Sequence, residues 1–320
     1  MGAFTPFRPF SGLGGLFPPR KNPFRRICMK AIIIGAIASV LSLAALFPLF
    51  VSSYVIAFLF NLLLNLSLMI GMNLLWGFAG YLPLGYTAFF GLGGYVTARL
   101  VLQGWPIWLS LPLSLIFVLP IGAFFGWVLF RLRGLYFSAA SLGLLILLEE
   151  TAGKWTFLSG GHEGLALPSS PKGPSAYWLI LALTAFSLAA HYVLDRCKGG
   201  YQLRLIREDE ALAESVGVPT FGVKMKAFLL GAVIALLAGG IHVWQAGYIS
   251  PASAFGLSVA VPPVIMVLIG GGRKGWGLLT AALFVSLLQE ALWTAGGKWV
   301  LSGYGLILIG VGMFWKRKRK

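Results

Sequence analysis

Acidic residues are scarce in this 320-residue chain: nine Asp and Glu stand against 25 Lys and Arg, and charged residues of either sign make up only 11%. A soluble globular domain carries roughly 25% charged residues, so a water-soluble enzyme or regulatory domain is excluded. Cysteine is nearly absent. Cys28 and Cys197 stand far apart without clustered spacing, which predicts neither a disulfide framework nor a cysteine-held metal. The three histidines, His162, His191 and His242, have no ligand spacing and form no H-E-x-x-H, so no metal, cofactor or membrane enzymology is expected. The phosphate cradle G-x-x-x-x-G-K-[ST] is also missing: Gly153-Lys154 and Gly297-Lys298 are each followed by Trp and preceded by no matching glycine.

What the chain has instead is apolar length. Hydrophobic residues form 58% and the mean hydropathy is +0.86. Helices of about 20 residues satisfy their own backbone in hydrocarbon, and runs of that kind fall at 31–50, 54–76, 83–102, 107–130, 135–149, 177–194, 227–246, 258–271, 277–293 and 299–315. The alternating pattern of an outer-membrane barrel is absent. The expected fold is an all-α, polytopic transmembrane helical bundle of about ten spans, some broken or re-entrant. Its domains would be a basic leader at 1–30 without fixed structure, a transmembrane domain at 31–315 and a basic tail at 316–320.

The formal charge of +16 suggests nucleic acid until its placement is read. The positives flank apolar runs. With the N-terminus in the cytoplasm, 21 of the 25 Lys and Arg fall on that side, which predicts both termini inside. Two polar connections stand out: 150–176, placed outside, and 195–226, the longest cytoplasmic one. Tryptophans 76, 105, 108, 178, 276, 299 and 315 lie at span ends, as an interfacial aromatic belt does. Glu290 lies within a span, where a helix-helix hydrogen bond or snorkelling accounts for it.

Residues 77–95, "GFAGYLPLGYTAFFGLGGY", interrupt a span with Gly77, Gly80, Pro83, Gly85, Gly91, Gly93 and Gly94. Proline and glycine weaken the helical ladder, and such breaks persist at membrane depth only inside protein or beside a polar cavity. Small residues also allow close helix packing, and composition does not separate the two. "AGYISPASAFGL" (246–257) echoes "AGYLPLGYTAFFGL" (79–92), with gaps. Paired breaks in two halves of a chain point toward a transport pathway, with Tyr86, Gly247 and Pro251 as further candidates.

These stretches resemble the LivM-type permease family of bacterial branched-chain amino-acid ABC importers. Residues 77–95 follow its G-x-A-G-x-L-S-L-G-H-A-A-F-F-G-x-G-A-Y without a gap, with Pro83, Tyr86 and Gly94 where Ser, His and Ala are usual. "RGLYFSAASL" (133–142) is similar to R-G-L-Y-F-A-x-x-T-L, and "LSGGHEGLALP" (158–168) to L-T-G-G-S-x-G-L-x-G-I-P. The LSGG letters, which also begin an ATP-binding-cassette ATPase signature, thus fall in an expected external loop: Ser159, Gly160, Gly161, Glu163 and Gly164. "LRLIREDEALAESVGVPTFGVKMKAF" (203–228) resembles the family's coupling segment, and Arg207, Glu208, Asp209, Glu210, Ala211, Ala213, Glu214 and Gly217 match it.

The resemblance implies a permease subunit with no catalytic residues, driven by ATP hydrolysis on other chains. Its implied partners are a second homologous permease, two cytoplasmic ATPases, an external solute-binding protein and membrane lipid, with no nucleic acid. Leucine, isoleucine or valine is the implied substrate, in a bacterial inner membrane. Urea, short amides or sugar on a related permease, and a stand-alone secondary transporter, are the alternatives. Glu208, Asp209 and Glu210 suit the N-terminal end of one short helix that Gly217 and Pro219 close.

Overall fold

The computed structural model describes residues 52–167, 175–270, 275–294 and 304–305. The predicted leader, the span at 31–50, the tail and nearly all of 299–315 lie outside the described residues. So the expectation of about ten spans extends beyond them.

The described chain is helical with one short ladder. It runs α1 (Ser53–Ala79), α2 (Ala88–Leu102), α3 (Ile107–Leu129), α4 (Leu135–Lys154) and α5 (Thr156–Ser159), then a 3-10 turn at Gly161–Glu163 and β1 (Leu165–Ala166). It continues with α6 (Ser175–Arg196), α7 (Lys198–Glu208), α8 (Glu210–Ser215), α9 (Thr220–Ala246), β2 (Tyr248–Ile249), α10 (Pro251–Phe255), α11 (Leu257–Gly270) and α12 (Gly275–Thr294). Among the described residues six stretches are long and apolar enough to cross a membrane: α1, α3, α4, α6, α9 and Pro251–Gly270. Two shorter apolar helices, Ala88–Leu102 and Gly277–Leu292, accompany them.

Helices α1 and α9 are the most buried of the long helices, with 56% and 67% of their most apolar windows inside the protein against 28% for α3 and α4. They make the core. Helix α2 crosses α9 backbone to backbone. A Cβ added at Gly93 would lie 2.3 Å from the Leu236 carbonyl oxygen, and one at Gly239 would lie 1.9 Å from that of Phe90. Only glycine permits this approach, and in lipid, where hydrophobic driving between helices is weak, close packing is what holds them. On the outside, α3 exposes Trp108, Ile116, Phe117 and Phe124. Such a face suits hydrocarbon.

Three helix boundaries differ from the sequence reading by five residues or more. Helix α2 begins at Ala88 rather than 83, because 80–87 leaves the helix. Helix α4 runs on to Lys154, five residues beyond the predicted end, and Glu150 and Lys154 pair one turn apart at 3.7 Å. Helix α9 begins at Thr220 rather than 227, directly after Pro219, so its first turns absorb Lys224 and Lys226. The supposed loop 195–226 is therefore helical for most of its length. Within α12, Glu290 accepts a hydrogen bond from the Tyr54 hydroxyl at the start of α1, the helix-helix contact expected for a carboxylate in a span.

Candidate functional site

Helices α1 and α9 are both 27 residues long, and both end on Ala-Gly-Tyr with the glycine left-handed. Gly80 has φ 79° and donates its N–H to the Trp76 carbonyl; Gly247 has φ 69° and donates to that of Val243. A left-handed C-cap suits glycine because it has no Cβ to clash. The tyrosine that follows each cap reaches a different partner.

Tyr81 reaches the predicted coupling segment. Its hydroxyl donates to Glu210, whose carboxylate also takes a hydrogen bond and an ion pair from Lys224 on α9. The Lys224 and Glu210 side chains are only 3% and 14% exposed, so this pair is largely removed from water. The Lys224 ammonium sits 4.7 Å from the centre of the Tyr81 ring and 5.4 Å from that of Phe130. Burial pushes the Tyr81 hydroxyl pKa up, and the bond to Glu210 pushes it further, so the phenol stays a donor. Burial alone would raise the Glu210 pKa as well, but the bonds from Lys224 and Tyr81, with the charges of Lys224 and Arg133, outweigh it and hold the carboxyl below its ordinary value. Arg207 adds a second tie: its guanidinium donates to the Gly77 carbonyl at 2.6 Å, and its stem lies 3.2 Å from where a Gly80 Cβ would be.

The segment is divided differently from the sequence expectation. Glu208 ends α7, Asp209 is extended, and α8 begins at Glu210. The three acidic residues therefore do not share one helix start. Asp209 is the N-cap, accepting from the Ala211 and Leu212 N–H groups at 2.9 and 3.1 Å. Glu210 turns inward, Ala213 is fully buried, and Ala211, Leu212 and Val216 are exposed. Glu214 accepts from the Thr220 hydroxyl at 2.7 Å, and Gly217 closes α8 at φ 82° with open space around it.

The broken stretch meets the second motif from above. A Cβ on Gly85 would lie 1.6 Å from the Ser141 carbonyl oxygen on α4, and the Gly85 N–H bonds the Ser141 hydroxyl at 3.3 Å. Phe137, from the same motif, meets Tyr81 edge-on at 5.2 Å. Pro83 starts the turn that the Tyr86 N–H closes. Tyr86 does not line an opening: it is 3% exposed, and its hydroxyl donates to the Gly231 carbonyl at 2.7 Å in a notch beside Gly71.

The two echoing stretches touch. Phe255, at the end of α10, lies over Gly91, where a Cβ would come within 2.2 Å of its ring, and stacks on Tyr95 at 5.9 Å. Pro251 is the first residue of α10, behind a Ser250–Ser253 capping box. The first F-G-L lies inside continuous α2, whereas the second spans the step from α10 to α11, so the echo is one of packing rather than of backbone path. A cavity of about 480 Å³ opens beside Phe255, lined by residues including Tyr95, Arg99, Phe117 and Thr151. None of the pathway candidates lines it.

At the opposite end, Tyr248 binds the predicted external loop. Its hydroxyl donates to the Glu163 carbonyl at 2.6 Å, and β1 pairs antiparallel with β2, Leu165 opposite Ile249 and Ala166 opposite Tyr248. The loop is built on left-handed glycines: Gly160, Gly161 and Gly164 have φ of 74°, 66° and 76°. A Cβ on Gly164 would lie 2.1 Å from the Ile249 carbonyl oxygen. Ser159 is 5% exposed and bonds the Trp155 carbonyl at 2.6 Å, whereas Phe157 is 85% exposed, so a probe of which side this loop faces belongs at Phe157.

Sequence reasoning missed Lys224, Tyr81, Ser141 and Tyr248. Tyr81 and Tyr248 could have been found from the repeated Ala-Gly-Tyr. Nothing local marks Lys224 or Ser141, whose partners are distant in the chain.

Residues 66–314 match the family described as the branched-chain amino acid transport system / permease component. The chain is similar to the high-affinity branched-chain amino acid transport system permease protein LivM of Escherichia coli, 26% identical over 80% of this chain and 68% of that one. The Salmonella typhimurium LivM protein is 25% identical over 79% and 67%. An autoinducer 2 import system permease protein, LsrC of an Enterobacter species, is 27% identical over 63% of this chain and 62% of its own. No solved structure matches.

Proposed function

The chain belongs to the branched-chain amino acid transport system permease family, and from that premise we propose that it translocates leucine, isoleucine or valine through the membrane on ATP hydrolysed by partner subunits. Membership makes it an ABC permease, a multi-pass protein of the bacterial inner membrane, a class that works with ATPase and substrate-binding partners and is not itself an enzyme. The α7–α8 segment faces the cytoplasm and receives the ATPase; the β1–β2 end faces outward and receives the binding protein. The stretches at 77–95 and 246–257 flank the path, and a second permease completes it. No covalent chemistry takes place in this chain.

One observation carries the reading: α8 and its C-cap present Ala211, Leu212 and Val216 to solvent while Glu210 on the same helix is bonded to Tyr81 of the broken stretch. A surface open to a partner is thereby tied to the span that a solute would pass. The LsrC relatives favour a second reading, in which the cargo is another small polar solute. The test is uptake of radiolabelled leucine by vesicles holding this chain with its partner ATPases and binding protein. Uptake that needs ATP and is competed by isoleucine and valine is expected. Uptake without the ATPases would remove the ABC assignment, and ATP-driven uptake of other solutes but no leucine would move the substrate to the second reading.

A further inference from the structure

We propose that Tyr81, Glu210 and Lys224 are positioning residues that carry movement of α8 into the broken stretch 80–87, a linkage that deepens the ABC reading and rests on it. The observation behind this is a charged pair in an unusual place. Two ions withdrawn from water recover their hydration only in part, and replacing a buried pair by apolar side chains is often neutral or stabilising. The pair is therefore poorly explained as a device for stability. What it supplies is direction, because a carboxylate that accepts from an ammonium and a phenol together fixes its helix relative to both donors.

The donors come from the right elements. Lys224 belongs to α9, the most buried of the long helices among the described residues, and Tyr81 follows Gly80, where α1 ends and the break begins. The Tyr81 ring is caged edge-on by Phe137 at 5.2 Å and by Phe130 at 6.2 Å, so its hydroxyl has little freedom apart from the backbone that bears it. Helix α8 has only six residues, too few to hold together without tertiary contacts. Its inward contacts are the Glu210 bonds, the burial of Ala213 and the bond from Thr220 to Glu214. A displacement of α8 that keeps the Glu210 bonds must carry Tyr81 along, and with it the step at Gly80. Arg207, bonded to the Gly77 carbonyl from the end of α7, anchors the helix side of that step.

The experiment uses the full chain purified with its partner ATPases, with Cys28 and Cys197 replaced by serine and Leu84→Cys introduced into the break. The readout is the rate of maleimide reaction at position 84, without nucleotide and with MgATP plus vanadate. Tyr81→Phe keeps the ring and removes the bond; Glu210→Gln with Lys224→Met removes the charges without leaving one unpaired. In the parent a nucleotide-dependent change of about fivefold or more is expected. Both variants are expected to flatten that change while still co-purifying with the ATPases and hydrolysing ATP. Replacing the exposed Glu150–Lys154 pair on α4, 3.7 Å apart, should leave it intact. Retention of the full change in both variants overturns the proposal, as does loss of ATPase co-purification in both, which would make the residues merely structural. A parent with no nucleotide-dependent change at position 84 likewise overturns the linkage, whereas the ABC reading stands or falls on the uptake experiment.

Discussion

At Ala79-Gly80-Tyr81 and at Ala246-Gly247-Tyr248 the chain makes the same turn with the same residues, and then fastens it by opposite means. The first tyrosine binds a carboxylate that is itself held by a lysine; the second binds a backbone carbonyl beside a two-residue ladder. Long side chains can break and remake contacts while their helices stay folded. Backbone ladders set on left-handed glycines have no such alternative. On the linkage proposed above, the α7–α8 end is the one that can be displaced, and the β1–β2 end the one that keeps its form.

That contrast is broken most severely by Glu210→Ala. Removing one partner leaves the Lys224 ammonium buried and unpaired, which destabilises by about 3–5 kcal/mol. Thermal unfolding in detergent should show this as a large fall in the transition temperature. Glu210→Gln with Lys224→Met should lie near the parent. If the double variant fell as far as Glu210→Ala, the pair would be essential to the fold and the α7–α8 end would be no more yielding than its counterpart.

Glycine substitutions sharpen the comparison at a smaller scale. Gly164→Ala meets two obstacles, a φ of 76° and a carbonyl oxygen 2.1 Å from the new Cβ, whereas Gly217→Ala meets only a φ of 82° in open space. The left-handed conformation alone costs roughly 1–2 kcal/mol for a residue with a Cβ. Gly217→Ala should therefore lose about that much, and Gly164→Ala distinctly more, because the Ile249 carbonyl must move and the β1–β2 pairing moves with it. Equal losses in the same unfolding measurement would mean that the β1–β2 ladder yields as easily as the α7–α8 end.

How far the sequence anticipates this depends on how local the cause is. The helical bundle is legible because a run of about 20 apolar residues has few other solutions in lipid. The cap at Gly80 is legible in the same way, since glycine and proline mark breaks wherever they cluster. The start of α9 is not. Lys224 reads as a loop residue until Glu210, fourteen positions earlier, is found beside it. Nor does the run Glu208-Asp209-Glu210 disclose that Asp209 caps one helix while its neighbours end and begin others, because the choice is made by the inward pull on Glu210. The composition of the Gly-rich stretch fits pathway and packing alike. Gly91 and Gly93 are set against Phe255 and the α9 backbone, contacts that only the assembled helices define.

The smallest effect, and the one that separates the two ends by charge alone, is their response to acid. Glu210 is held below its ordinary value of 4.5 because its folded partners, Lys224, Tyr81 and Arg133, prefer the carboxylate. The unfolded chain therefore takes up the proton first as pH falls. Stability from this group is present in full above the ordinary value and is lost as pH drops through the lowered folded one. Comparing parent with Glu210→Gln, the gap in transition temperature should stay constant from neutral pH down to the ordinary carboxylate range and close only below it. At the other end the ties are phenol to carbonyl and backbone to backbone, with no carboxylate among them. The deficit of Gly164→Ala should accordingly be flat over the same titration. A Glu210 gap that closed well above pH 4.5 would mean that its carboxylate is not stabilised by the lysine and tyrosine, and the chemical distinction between the two caps would disappear.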